Sequence, residues 1–125
     1  MNAVIRAAAD LQALCEARHW RYCFIGGVAV QRWGEPRETV DVDATPFVFP
    51  PGVALRTCSA GDLIVLKAFP SRPKDWVDVD GMLIRQAGRL DWNYVRRQLT
   101  PLAELKEAPE ILTTLDANRR EFDLA

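Results

Sequence analysis

The chain is poor in the residues on which several classes of protein depend. It has three cysteines and one histidine in 125 residues. Cys15, Cys23 and Cys58 are far apart and form no Cys-x-x-Cys pair, which argues against disulfides and against a zinc site. No stretch approaches the ~18–20 apolar residues of a membrane span, and residues 1–19 lack the apolar core of a signal peptide. We therefore expect a cytoplasmic protein that does not enter a membrane.

An excess of charge of either sign is also lacking. Sixteen basic residues face seventeen acidic ones, and the net charge is −1. No strong field marks the protein as a nucleic-acid or membrane binder, so any RNA-binding surface would be local. The only histidine, His19, has no serine or cysteine partner at a sensible position, which excludes a histidine-based nucleophile scheme.

Hydrophobic patterning predicts where helices and strands lie. Helices are predicted over 2–18, 28–33, 61–69, 75–86, 91–99 and 109–122, and strands over 21–25, 38–44 and 53–58. The predicted fold class is α/β (α+β), with a small mixed sheet of about three strands, flanking helices and a helical C-terminal half. We expect one domain over 1–125, with the sheet and site region in 1–87 and a helical part in 88–125.

Two glycines carry the first functional signal. Gly26 and Gly27 follow the apolar run 22–25 and precede a predicted short helix that Gly34 ends. A tight turn of this kind places the first backbone N–H groups of the helix against a cleft. Those groups attract anions, and a triphosphate is the anion we expect there.

Two carboxylates carry the second signal. Asp41 and Asp43 are separated from Gly27 by thirteen residues and alternate along a predicted strand, so they share one face. Two like charges so close together repel unless a cation binds both. Mg²⁺, or Mn²⁺, bound by the two carboxylates and by substrate phosphates is the expected cofactor. The alternative is an exposed edge strand with two solvated acids.

In these residues the chain resembles the nucleotidyltransferase superfamily of the DNA polymerase β type. Ile25-Gly26-Gly27 and Asp41-Val42-Asp43 match the family pattern, in which a hydrophobic residue and a glycine pair precede Asp-x-Asp by about a dozen residues. Two downstream segments, 59–69 and 72–78, look like the block Asp-Leu-x-x-x-Lys…Arg-x-x-Asp-x-x-Asp of the subgroup that contains AbiEii-type toxins and minimal nucleotidyltransferases. The resemblance covers roughly residues 20–85.

The resemblance implies transfer of a nucleoside monophosphate from an NTP to a hydroxyl of RNA or protein. It implies that Asp41 and Asp43 are catalytic and bind the metal, and that Lys67 meets a nucleotide phosphate. Gly26 and Gly27 would cradle phosphates. Further candidates are the nucleotide-binding Arg37 and Thr39 and the supporting Asp75 and Asp78, which could position Lys67 or Arg72.

Each secondary candidate has a structural alternative. Lys67 could be a solvated lysine on an amphipathic helix, and Asp75 could cap a helix. Arg37 could pair with a neighbouring glutamate, and Thr39 could simply pack.

One departure from the family pattern bears on activity. Family members carry a third carboxylate on a later strand, but none of the fifteen residues between Asp43 and Ser59 is acidic. Asp62, Asp75, Asp78 or a second chain could supply it. The alternative function is a catalytically silent module of a toxin–antitoxin type system, which binds nucleotide or a partner protein. A shortened sheet would leave an unpaired edge near residues 40–58, so we expect a homodimer or a partner complex.

Overall fold

The structure, a computed structural model, describes residues 3–34, 47–49 and 52–122. Within these ranges six helices and two short strands follow one another along the chain. They are α1 (Ala3–Ala17), α2 (Gly27–Trp33), β1 (Phe47–Phe49), β2 (Val53–Leu55), α3 (Ala60–Ala68), α4 (Pro73–Arg85), α5 (Trp92–Leu105) and α6 (Glu110–Phe122). No helix in the described part of the chain is both long and apolar enough to cross a membrane.

The described residues form two compact units. The N-terminal unit comprises residues 3–32, 47–49 and 52–59, and the C-terminal unit comprises 33–34 and 60–122. The prediction of a single domain over 1–125 stays a prediction.

The core of the N-terminal unit lies between α1, the segment around Phe24, and β2. Ile5 and Ala8 on α1 pack with Phe24, Val28 and Leu55. The side chain of Gln12 also joins α1 to the β2 region, because its amide donates to the carbonyl of Ala54 at 2.7 Å and accepts from the backbone N–H of Arg56 at 3.0 Å. Helix α1 therefore provides hydrogen-bond partners for backbone groups of the β2 region that would otherwise pair with a neighbouring strand.

The predicted fold class, an α/β fold with a mixed sheet, is wrong, because the described residues are mostly helical. β1 and β2 form only a two-stranded antiparallel pair, with Phe47 opposite Leu55 and Phe49 opposite Val53. The strand predicted over 21–25 is reduced to one parallel bridge between Phe24 and Thr57. The left-handed turn at Gly26 follows two residues later, which leaves no room for a longer ladder. The strand predicted over 38–44 lies outside the described residues.

The C-terminal unit is made of four helices. α3 packs on α4 and α5, and α6 packs on both α4 and α5. Most of its buried side chains are apolar residues at helical spacing, as in Val79-Met82-Leu83 on α4 and Val95-Leu99 on α5. Asp91 begins α5 as predicted, because its carboxylate accepts the backbone N–H of Tyr94 at 3.1 Å.

The predicted helices are confirmed, with one difference in length. The sequence places the end of the 91–99 helix before Pro101, but α5 continues through Pro101 to Leu105. Leu99 and Ala103 flank the proline on the buried face of α5. Burial of this face stabilises the helix beyond a residue that disfavours it.

Candidate functional site

The predicted glycine turn lies where a strand-like residue leads into a helix. The backbone N–H of Phe24 donates to Arg56 at 2.8 Å, and the carbonyl of Phe24 accepts from Cys58 at 2.9 Å. Gly26 then adopts a φ of 71°, a conformation that favours glycine, and α2 begins at Gly27. The carbonyl of Gly26 accepts the first helical bond, from Val30 at 2.9 Å.

The N–H groups of the first turn of α2 lie in a buried setting. The residues from Gly27 to Val30 are buried, whereas Gly26 is partly exposed. A helix of seven residues leaves its first N–H groups without an intrahelical acceptor.

Arg32 and Thr57 lie close to this turn. The guanidinium of Arg32 donates to the hydroxyl of Thr57 at 3.0 Å, and Thr57 is buried beside Phe24 in the bridge. Burial lowers the pKa of the Arg32 guanidinium below its ordinary range. The sequence analysis did not single out either residue.

Four predicted site residues, Arg37, Thr39, Asp41 and Asp43, lie outside the described residues, so their roles stay predictions. The metal-binding roles of Asp41 and Asp43 are among them. Within 3–34, 47–49 and 52–122, no group of three or more histidine, cysteine or acidic residues could hold a metal ion.

The C-terminal unit contains an ion cluster in which the two carboxylates are buried. It is formed by Lys67 on α3, by Arg72 just before α4, and by Asp75 and Asp78 on α4. The ammonium of Lys67 lies 3.1 Å from a carboxylate oxygen of Asp78 and 3.6 Å from one of Asp75. The side chains of Asp75 and Asp78 are only 0 % and 7 % exposed. The structure therefore brings together three of the predicted site residues.

Arg72 completes the cluster from the start of α4. Its guanidinium donates to both oxygens of Asp75, at 2.6 and 3.1 Å, and its backbone N–H donates to the same carboxylate at 3.2 Å. The Asp75 carboxylate thereby caps the start of α4, where Pro73 holds the first helical position, and the backbone N–H of Asp75 donates to the carbonyl of Arg72 at 3.0 Å. Asp75 thus contacts Arg72 and Lys67 and also caps α4, and its supporting role in a nucleotide site stays a prediction.

The electrostatics of Asp75 follow from these contacts. Burial by itself would raise its pKa, but the hydrogen bonds from Arg72 and the charges of Arg72 and Lys67 outweigh burial. The pKa of Asp75 consequently lies below its ordinary value of 3.8, and the carboxylate is ionised at neutral pH. Two cations and two anions in contact leave the cluster with no net charge.

Asp62, another candidate for the third carboxylate, has a hydrogen-bond partner on α5. The hydroxyl of Tyr94 donates to it, and this bond is the main cause of a raised pKa of Tyr94.

A cleft of about 550 Å³, which was not predicted from the sequence, lies beside the end of α1. It is lined by the aromatic residues Trp20 and Tyr22 and by Glu16, His19, Arg21 and Arg56. The signal that could have found it is the run Arg18-His19-Trp20-Arg21-Tyr22, in which aromatic and basic residues alternate. We call it the basic-aromatic cleft.

Relatives of the chain were sought among family models, curated proteins and solved structures, and none of the three comparisons finds a match. The resemblance to nucleotidyltransferases therefore depends on the residues themselves. These are the glycine pair, the Asp-x-Asp motif and the Lys67–Asp78 block.

Proposed function

We propose that the protein is of the nucleotidyltransferase type and binds an NTP with Mg²⁺ to transfer a nucleoside monophosphate to a hydroxyl. The observation that carries the proposal is the turn at Gly26, whose φ of 71° directly precedes the first residue of α2. The Gly-Gly element of the family pattern requires a turn of this kind. It presents N–H groups to an anion.

The donor set that would hold the metal fits Mg²⁺ in its chemistry. Asp41 and Asp43 offer hard oxygen ligands, and Mg²⁺ typically binds one or two carboxylates together with substrate phosphates. When bound, the ion would offset the negative charge that develops on the transferring phosphoryl group. Arg37 and Thr39, which precede Asp41 by four and two residues, are proposed to contact the nucleotide.

The roles of the chain's own residues differ in kind. Gly26 and Gly27 bind phosphate oxygens through backbone N–H groups. Lys67 supplies a positive charge whose position is fixed by Asp78 and Asp75, 3.1 and 3.6 Å away. Because both carboxylates are buried, they hold the ammonium in one place and act as positioning residues.

The Lys67 contacts also favour a second candidate function, a catalytically silent module that binds nucleotide or a partner protein. An ammonium that already contacts two carboxylates adds little charge to a phosphate site. The chain, moreover, has no acid between Asp43 and Ser59 to serve as third carboxylate. Loss of one electrostatic contributor to a transition state typically costs about 10²–10³ in rate.

Calorimetric titration of each NTP with Mg²⁺ distinguishes these functions. The variants are Asp41→Ala/Asp43→Ala and a matched control, Asp10→Ala/Glu104→Ala, which removes two exposed acids elsewhere. Binding that requires Mg²⁺ and is lost only in the first variant supports the site. No NTP binding by the unaltered chain contradicts both nucleotide functions.

Activity is tested on the same proteins with labelled NTP and total RNA or protein as acceptor. Label transfer that stops in Asp41→Ala/Asp43→Ala, but continues in the control, supports the enzyme. NTP binding without transfer to any acceptor supports the silent module.

A further inference from the structure

The basic-aromatic cleft combines an exposed aromatic surface with several cations. The side chain of Trp20 is 53 % exposed, although tryptophan is usually well covered in folded proteins. Arg21 and Arg56 line the same cleft, and Arg18 contacts Trp20. One guanidinium group thus lies over the Trp20 ring, and two more line the cleft that the ring helps to form.

Two cation–π contacts give the cleft a defined geometry. The guanidinium carbon of Arg18 lies 5.2 Å from the centre of the Trp20 ring, and that of Arg56 lies 5.8 Å from the centre of the Tyr22 ring. Phe24, which is buried, meets Tyr22 edge to face with ring centres 6.1 Å apart. The second aromatic ring is therefore anchored to the core of the N-terminal unit.

Among the described residues that line the cleft, the one acid, Glu16, is engaged by a hydrogen bond. Glu16 accepts the hydroxyl of Tyr22 at 2.6 Å. Partial burial, together with this bond, raises the pKa of Tyr22 against the opposing effect of Arg56, so the phenol keeps its proton at neutral pH. The cleft therefore carries net positive charge, with a neutral, hydrogen-bonded Tyr22 in its wall.

The backbone at the mouth of the cleft is held in an uncommon conformation. His19 has a φ of 56°, and the N–H groups of His19 and Trp20 bond back to Glu16 and Cys15 at 3.1 and 2.9 Å. This is the glycine-favouring C-terminal turn of a helix, occupied here by a histidine. The turn directs residues 19–22 along the cleft, so the aromatic and basic side chains are positioned before a ligand arrives.

A large exposed indole beside guanidinium groups matches the chemistry of a nucleotide unit. Bases stack on aromatic rings with little sequence preference, and arginine binds phosphate by paired hydrogen bonds. A volume of about 550 Å³ is within the range of small-molecule sites. We propose that the basic-aromatic cleft binds a nucleobase on Trp20 and its phosphate through Arg21 and Arg56, as a free mononucleotide or as part of a single-stranded nucleic acid.

This site is distinct in its residues from the proposed NTP site and needs no metal. Its test is therefore made in EDTA, in which the Mg²⁺-dependent site does not contribute. Fluorescence anisotropy of a labelled five-nucleotide oligonucleotide measures binding. Unlabelled AMP and unlabelled oligonucleotide are added as competitors in separate experiments. Competition by AMP at equal concentration identifies a mononucleotide site, and competition by the oligonucleotide alone identifies a single strand.

The decisive variant is Trp20→Leu, with Trp92→Leu as matched control. Trp92 carries a similar cation–π contact, with Arg119 at 4.5 Å, but lies in the C-terminal unit. We expect Trp20→Leu to weaken binding about tenfold or more, as loss of a base-stacking ring does, and Trp92→Leu to leave it unchanged. Equal losses in the two variants, or no binding by the unaltered chain at 1 mM of either ligand (roughly the weak limit of specific sites), would overturn the proposal.

The dependence of binding affinity on salt concentration tests the phosphate contact. Each phosphate contact to a single strand contributes about 0.7 to the slope of log affinity against log salt concentration. Arg56→Gln, an exposed substitution, should lower that slope by about this amount, whereas Arg89→Gln, exposed on another part of the chain, should not. An unchanged slope in Arg56→Gln contradicts the phosphate contact. Binding retained in Asp41→Ala/Asp43→Ala separates this site from the NTP site.

Discussion

At the residue scale, His19 stands in a backbone conformation that most residues avoid. Its φ of 56° closes α1, where glycine has no steric penalty. We expect His19→Gly to raise the free energy of unfolding by about 0.5–1 kcal/mol, because relief of the left-handed strain exceeds the added freedom of the unfolded chain. Urea denaturation measures the change. His19→Ala keeps the strain and should show no such gain, and an equal gain in both variants would contradict the argument.

Lys67 is the residue on which the ion cluster depends. Lys67→Met keeps most of the side-chain volume but removes the ammonium 3.1 Å from Asp78, a carboxylate that is 7 % exposed. We expect a loss of about 2–3 kcal/mol in the free energy of unfolding, since the buried carboxylate of Asp78 loses the ammonium that lies 3.1 Å away. Chemical denaturation without nucleotide measures it. The control Lys74→Met, an exposed lysine on α4, should change stability by about 0.5 kcal/mol or less.

Asp80 gives the C-terminal unit a pH dependence opposite to that of Asp75. Burial raises the pKa of Asp80 above 3.8, and Glu121 adds to this, whereas the amide of Asn118, which donates at 2.7 Å, opposes it. Because the pKa of Asp80 is higher in the folded than in the unfolded protein, this group contributes to stability below pH 3.8. That contribution is lost as the pH rises through the folded pKa. The contribution of Asp75, whose pKa is lowered, is instead lost as pH falls below 3.8.

As the pH rises above 3.8, loss of the Asp80 proton lowers the free energy of unfolding. Asp80→Asn should remove this part of the pH dependence. An asparagine can still accept the Asn118 amide, so the contact is kept while the titration is removed. Urea denaturation of both proteins from about pH 4 to 7 measures the difference. Parallel stability curves over that range would show that Asp80 does not titrate there.

At the element scale, α5 contains a proline in its interior. Pro101 lacks an N–H for the carbonyl four residues earlier, and its ring crowds that carbonyl. Because Pro101 is exposed, Pro101→Ala should remove this cost without loss of packing and stabilise the protein by about 1–2 kcal/mol. Denaturant titration is the measurement. Pro73→Ala, in the first position of α4 where proline is favourable, should bring no gain.

The same elements indicate what the sequence could and could not predict. Helix starts and stops were predictable where the cause is local, as with Asp91 at α5 and the turn at Gly26 before α2. The end of α5 was not, because burial of Leu99 and Ala103 outweighs the local effect of Pro101. The strand over 21–25 was also wrong. A short apolar run does not indicate whether a neighbouring segment will form backbone hydrogen bonds along the whole length of the run.

At the scale of the whole molecule, the candidate site was partly predictable. Residue spacing was sufficient to place Asp75 and Asp78 on one helical face, whereas their grouping with Lys67 came from the family resemblance. Spacing could not reveal that the acids are buried and neutralise the lysine, since this depends on how α3 packs on α4. The basic-aromatic cleft likewise joins residues near 20 to Arg56, a contact that only the folded N-terminal unit creates.

The link between α1 and the β2 region has a consequence for synthesis of the protein. Gln12 and Arg56, which bond through side chain and backbone, are 44 positions apart. At ribosomal rates of about 5–20 residues per second, α1 emerges several seconds before its partner. During that interval the apolar side chains of Ile5 and Ala8, which are later buried, face the solvent or a chaperone. The N-terminal unit is therefore exposed to misassociation during translation rather than after folding is complete.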